Sequence, residues 1–112
     1  MAISYESIGQ VCVTCFGSGL HLNAPCRLTT NNSVSSCLDG QTIEGVVVSM
    51  NSNLATVAVK GFVTLTYVGD APTLGFCPLA SAGGVKVKKL DGAREYLVFN
   101  VNTSKKTVTF CL

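Results

Sequence analysis

Between Ala55 and Tyr67 the chain alternates residue by residue. Val57, Val59, Val63, Leu65 and Tyr67 share one face, and Thr56, Lys60, Thr64 and Thr66 share the other. A two-residue period is that of a half-buried β-strand, because successive side chains on a strand point to opposite faces. The same period recurs along nearly the whole chain and a 3.6-residue period almost nowhere, so the expected fold is all-β. Gly61 breaks the register as a bulge or a tight bend does. Before it, Ile43 to Ser49 reads as a buried strand. Met50-Asn51-Ser52-Asn53 supplies turn chemistry that joins the two runs into a hairpin.

Asp91-Gly92 reads as a two-residue type I′ turn, since both residues tolerate positive φ. That turn sets Lys88 across from Glu95, Val87 across from Tyr96 and Val85 across from Val98 in a second hairpin. A third turn at Asn102 to Lys105 returns the chain through a last strand at Thr107 to Leu112. Asp70, Pro72, Gly75, Pro78, Gly83 and Gly84 punctuate residues 69–84 densely, which predicts a long surface loop. Residues 16–39, rich in Gly, Ser, Asn and Thr, read as turns around one short strand at Cys26 to Thr29. About seven or eight short antiparallel strands result, in a small barrel or sandwich spanning residues 9–112, with no internal repeat at a fixed period. Residues 1–8 lie outside the pattern and read as an extended arm or as the domain's own first strand.

A chain of 112 residues makes one domain. With 47% hydrophobic and 12% charged residues, it is neither apolar-poor nor charge-rich enough for intrinsic disorder. Eight Lys and Arg against six Asp and Glu make too weak a field to nominate nucleic acid or an anionic membrane as the partner. The charge is uneven. Residues 1–56 hold one base and three acids, residues 57–112 seven bases and three acids, an asymmetry that suits head-to-tail contact between copies. No apolar run approaches the roughly 20 residues of a membrane helix. Residues 1–6 lack the basic start and apolar core of a secretory signal, so a reducing cytoplasm is the expected compartment.

That compartment favours plain thiols for Cys12, Cys15, Cys26, Cys37, Cys77 and Cys111, although an even count also permits disulfides. A third reading is zinc. Cys12, Cys15, His21 and Cys26 are spaced one residue longer than a zinc knuckle, but residues 12–26 hold one Phe and no Lys or Arg to grip a nucleic acid. Cys12 and Cys15 would also point to opposite faces of a strand. A thiol or serine nucleophile would depend on His21, the one histidine, with no orienting group marked beside it. Gly83-Gly84 and Gly17-Ser18-Gly19 match no phosphate-binding fingerprint. The expectation is a non-enzymatic protein with no catalytic residues, resident metal or cofactor.

Three stretches carry a family resemblance. They are Gly40 to Val48 followed by Ala55 to Leu65, Tyr67-Val68-Gly69-Asp70-Ala71-Pro72-Thr73-Leu74-Gly75, and Arg94 to Val98 with Thr107 to Phe110. Together they resemble the head-decoration, or capsid-cement, proteins of tailed phages. The cysteine-rich first third is where the resemblance is thinnest. It implies a virion component made in the bacterial cytoplasm and bound in multiple copies, often as trimers, to the outside of a lattice of major capsid protein. Ile3, Tyr5 and Ile8 of the arm are contact candidates, suited to laying a strand on a neighbour's sheet edge. Leu74, Phe76 and Leu79 of the loop are the second set, with a cap over one end of the barrel as their alternative role.

Overall fold

The computed structural model of the chain describes residues 10–17 and 19–112. The arm and its contact candidates Ile3, Tyr5 and Ile8 lie outside the described residues. Among the described residues ten strands form: β1 (Val11–Phe16), β2 (Pro25–Thr30), β3 (Ser33–Ser36), β4 (Gly45–Asn51), β5 (Leu54–Lys60), β6 (Phe62–Val68), β7 (Gly75–Ser81), β8 (Lys86–Lys89), β9 (Glu95–Asn102) and β10 (Thr107–Cys111). The all-β expectation holds, with more strands than the seven or eight expected. They make two five-stranded sheets, β1 to β5 and β6 to β10, each closed into a barrel within one small compact domain.

The two barrels have one topology. In each, the first strand runs parallel to the third, the third antiparallel to the second, and the second antiparallel to the fourth. The fourth then pairs antiparallel with the fifth and the fifth with the first, closing the ring. The parallel pairs β1–β3 and β6–β8 depart from the wholly antiparallel expectation. An internal repeat therefore exists after all. Its residue-level traces are few: Cys26 and Cys77 stand about 51 residues apart, as do Thr56-Val57 and Thr107-Val108, while Leu38-Asp39-Gly40 returns as Leu90-Asp91-Gly92. Both of the last two make the same turn. Gln41 N donates to Leu38 O and Ala93 N to Leu90 O, each at 3.1 Å, with Gly40 at φ 83° and Gly92 at φ 85°.

That turn overturns the second hairpin. Of Asp91 and Gly92, the glycine has the positive φ, the signature of a type II rather than a type I′ turn, and a type II turn splays the strands it joins. β8 and β9 accordingly lie on opposite sides of β7: Lys88 pairs with Ala80 and Glu95 with Pro78. The supposed loop at 69–84 contains β7, whose Pro78 is accommodated within the strand and whose Leu79 is fully buried. Other local readings hold. Asn51 pairs with Leu54 across the Ser52-Asn53 turn, and the Asn102 side chain accepts from Ser104 N and Lys105 N in the last turn.

Gly61 carries the chain from one barrel to the other. Its φ is 101°, a conformation that strains any residue with a Cβ, and an added Cβ would stand 2.8 Å from Gln10 Cα. The barrels share apolar contacts: Ile43, Val46 and Ala58 of the first belong to the core of the second with Leu65, Tyr67, Leu79, Tyr96 and Phe110. Backbone bonds cross the junction from Gly40 N to Ser81 O (2.7 Å) and from Ser81 N to Gln41 O (3.0 Å). Tyr96 Oη donates to Ile43 O at 2.6 Å. Lys88, expected opposite Glu95, pairs instead with Asp39 at 2.8 Å.

Candidate interaction surface

The six cysteines are free thiols. Cys12 is exposed on one face of β1, while Cys15, three residues on, is buried on the other and donates to Ala55 O. His21 is exposed in the turn before β2, and Cys26 is buried inside the first barrel. The zinc set is thus dispersed, and among the described residues no three His, Cys, Asp or Glu side chains gather as a metal site. Burial pushes the Cys26 thiol up to about 12, helped by Cys37, Cys15 and Glu44 nearby. Burial and Glu44 likewise push Cys37 up to about 11, against the pull of Arg27. Such thiols stay protonated at neutral pH and are poor nucleophiles. Cys37 Sγ donates to Thr42 O, which fits a packing role.

Of the loop candidates, Leu79 is withdrawn from contact: it is 0% exposed in the core of the second barrel, because β7 alternates and Cys77 and Leu79 point inward. Phe76 points outward by the same alternation, Leu74 lies in the bend before β7, and each is 69% exposed. They do not cap the barrel. Phe76 pairs with Leu97 of β9, which extends the apolar face to Phe99, half exposed and in edge-to-face contact with Phe62 at 4.8 Å between ring centroids.

A bulge sits at Phe99. Val98 pairs with Phe110 and Asn100 with Thr109, so Phe99 is the extra residue on β9. The shift keeps Tyr96 and Val98 inward before the bulge and brings Val101 back onto the core after it. Strict alternation through Tyr96 and Val98 already places Leu97 and Phe99 outward, and the bulge changes the phase only beyond Phe99. An outward row of Leu74, Phe76, Leu97 and Phe99 is an apolar patch of the kind that marks interaction surfaces.

A second apolar region lies at the open end of the first barrel. Val11 and Val13 of β1 and Leu28 of β2 are 50%, 47% and 59% exposed. Between the strands lies a pocket of about 120 Å³ lined by Val13, Cys26, Arg27, Leu28, Val34, Glu44, Gly45, Val57 and Val59. In the second barrel the inward residues at the start of the corresponding strand, Val63 and Leu65, are buried. Compared with protein-family models, curated proteins and solved structures, the chain matches none.

Proposed function

We propose that the protein is a non-enzymatic structural component of a tailed-phage virion, bound in multiple copies to the outside of the capsid lattice and stabilising it. Its partners in this reading are the major capsid protein and other copies of itself, and its site of synthesis is the cytoplasm of the bacterial host. The observation that carries the reading is the apolar row of exposed Leu74, Phe76 and Phe99 with half-buried Leu97 between the two phenylalanines. The resemblance in residues 40–75 and 94–110 points the same way.

The mechanism is mechanical. Docking this face across a junction between capsid subunits buries Leu74, Phe76 and Phe99, worth on the order of 1–2 kcal/mol each at their present exposure. Expansion of the shell would then have to re-expose that surface, and binding to the closed lattice shifts the equilibrium toward it by mass action.

The test is to mix purified protein with undecorated capsids assembled from a tailed-phage major capsid protein. Saturable binding at a fixed copy ratio is expected. Phe76→Asp should weaken it at least tenfold while leaving the melting curve of the free protein nearly unchanged. Absence of binding at micromolar concentration overturns the reading.

A further inference from the structure

The contact between the two barrels is made once inside the chain, and both of its surfaces recur. The first surface is a row across the outside of the first barrel. Pro25 of β2 pairs with Val46 of β4, and Val46 with Ala58 of β5. All three are buried, and Val46 and Ala58 belong to the core of the second barrel. Strand pairing fixes the matching row on the second barrel. Cys26 stands opposite Gly45 as Cys77 stands opposite Tyr96, and β4 and β9 bulge at the same place, Val48 and Phe99. That register sets Phe76 opposite Leu97 and Leu97 opposite Cys111. Here the row faces outward: Phe76 is 69% exposed, and Leu97 and Cys111 are half-buried.

The second surface is the barrel mouth that receives such a row. In the second barrel it comprises Val63, Leu79, Tyr96 and Phe110, each at most 8% exposed and all in one core with Val46 and Ala58. Val13 pairs with Val57 as Val63 pairs with Phe110, so the corresponding residues of the first barrel are Val13, Leu28, Gly45 and Val57. Their mouth is open. Val13 is 47% and Leu28 59% exposed, and all four residues line the pocket of about 120 Å³. Space remains because Gly45 and Val57 stand where the second barrel has the rings of Tyr96 and Phe110.

We propose that the mouth of the first barrel receives the row Phe76, Leu97 and Cys111 of a second copy, head to tail, as the mouth of the second barrel receives Pro25, Val46 and Ala58 within the chain. Size argues for this occupant. Inside the chain a row of small side chains meets a mouth filled by two rings. The remaining row is larger and the remaining mouth lacks those rings, so excess on one side matches deficit on the other, as close packing requires. Charge argues the same way. Residues 1–56 hold one base and three acids and residues 57–112 seven bases and three acids, so a head-to-tail contact joins unlike halves. Each added copy leaves one row and one mouth at the ends, and the contact therefore continues into a ring or a filament. The proposal goes beyond attachment to a capsid: it shares part of the apolar row with that reading, but the mouth has no role there.

Two variants separate the surfaces. Leu28→Lys places a charge at the mouth and leaves the row intact, and Phe76→Asp does the reverse; both positions are exposed, so both proteins should melt like wild type. Val13→Lys repeats the mouth test at a second exposed position. In sedimentation velocity at hundreds of micromolar, the mean mass of wild type should rise with concentration, while each variant alone stays monomeric. An equimolar mixture of Leu28→Lys and Phe76→Asp should form a dimer and nothing larger, because one intact row and one intact mouth remain between the two proteins.

A mixture that stays monomeric overturns the proposal. So does a wild type that stays monomeric over the same range, or a variant that associates alone as wild type does. A wild type that associates only after removal of residues 1–8 would assign the mouth to the chain's own leading segment and overturn the choice of occupant. Leu28→Lys should keep its affinity for capsids, whereas Phe76→Asp should lose both kinds of binding. Failure of capsid binding leaves the mixing result intact, so the two proposals fail separately.

Discussion

Replacing Tyr96 by Phe isolates one atom of the junction between the barrels. The ring is 2% exposed, packs edge-to-face against Phe110 at 5.3 Å, and lies under the Arg94 guanidinium at 5.1 Å. Phenylalanine keeps those contacts and loses the hydroxyl that donates to Ile43 O at 2.6 Å. Removing one partner of a buried hydrogen bond costs about 1–3 kcal/mol, because the remaining acceptor stays buried without its donor. Unfolding entropy of roughly 2.1 cal/mol/K per residue makes 1 kcal/mol worth about 4 °C in a chain of this length. A central value of about 1.5 kcal/mol therefore predicts a melting temperature lower by about 6 °C. Calorimetry of wild type and variant measures it, with urea denaturation as a second reading in which the midpoint falls and the slope holds. A shift under about 1 °C would refute the claim that this bond ties the barrels together.

Three further perturbations probe other parts of the fold. Gly61→Ala forces a Cβ into a φ of 101° and against Gln10, and should destabilise by at least about 2 kcal/mol in a denaturant titration. A thiol reagent at pH 7 should modify Cys12 quickly, Cys111 slowly and the buried cysteines only after unfolding; two or more fast-reacting thiols would contradict the burial described. Because Cys26 and Cys37 titrate higher in the folded chain than the ordinary 9.0, the folded state holds their protons more tightly. Their contribution is fully present below pH 9 and is lost as pH rises through about 11 and 12, so the urea midpoint should fall from pH 8 to pH 10.5, less steeply in Cys37→Ala.

Local pattern made some of this structure readable. The alternation on either side of Gly61 located β5 and β6, and Ser52-Asn53 located the β4–β5 turn, since both signals lie within a few residues of what they determine. Pairing between distant segments left no such trace. Asp91-Gly92 has the composition of a hairpin tip, yet tertiary partners decide otherwise: β8 is held between β6 and β7, and β9 between β7 and β10. β7 was hidden because Gly75 and Pro78 read as breakers. The strand tolerates both, Gly75 at its first residue with φ 85° and Pro78 facing Glu95. At the interaction surface the outward direction of Phe76 was legible once β7 was in place, and that of Phe99 followed from Tyr96 and Val98 facing inward, whereas the bulge itself depends on how β10 pairs.

The repeated barrel explains why the two halves differ in what they leave open. A unit of about 50 residues buries too little surface to be comfortably stable alone, and here each half supplies apolar contacts to the other through Ile43, Val46 and Ala58. Joining at Gly61 places the start of β6 beside the first barrel, where Val63 and Leu65 are buried. At the corresponding place on β1, Val11 and Val13 stand half exposed. One topology used twice in tandem thus yields one strand start whose inward side chains are buried and one whose side chains are half exposed. The asymmetry lies in burial and not in strand arrangement, since both first strands leave their opening residues unpaired beside the third strand.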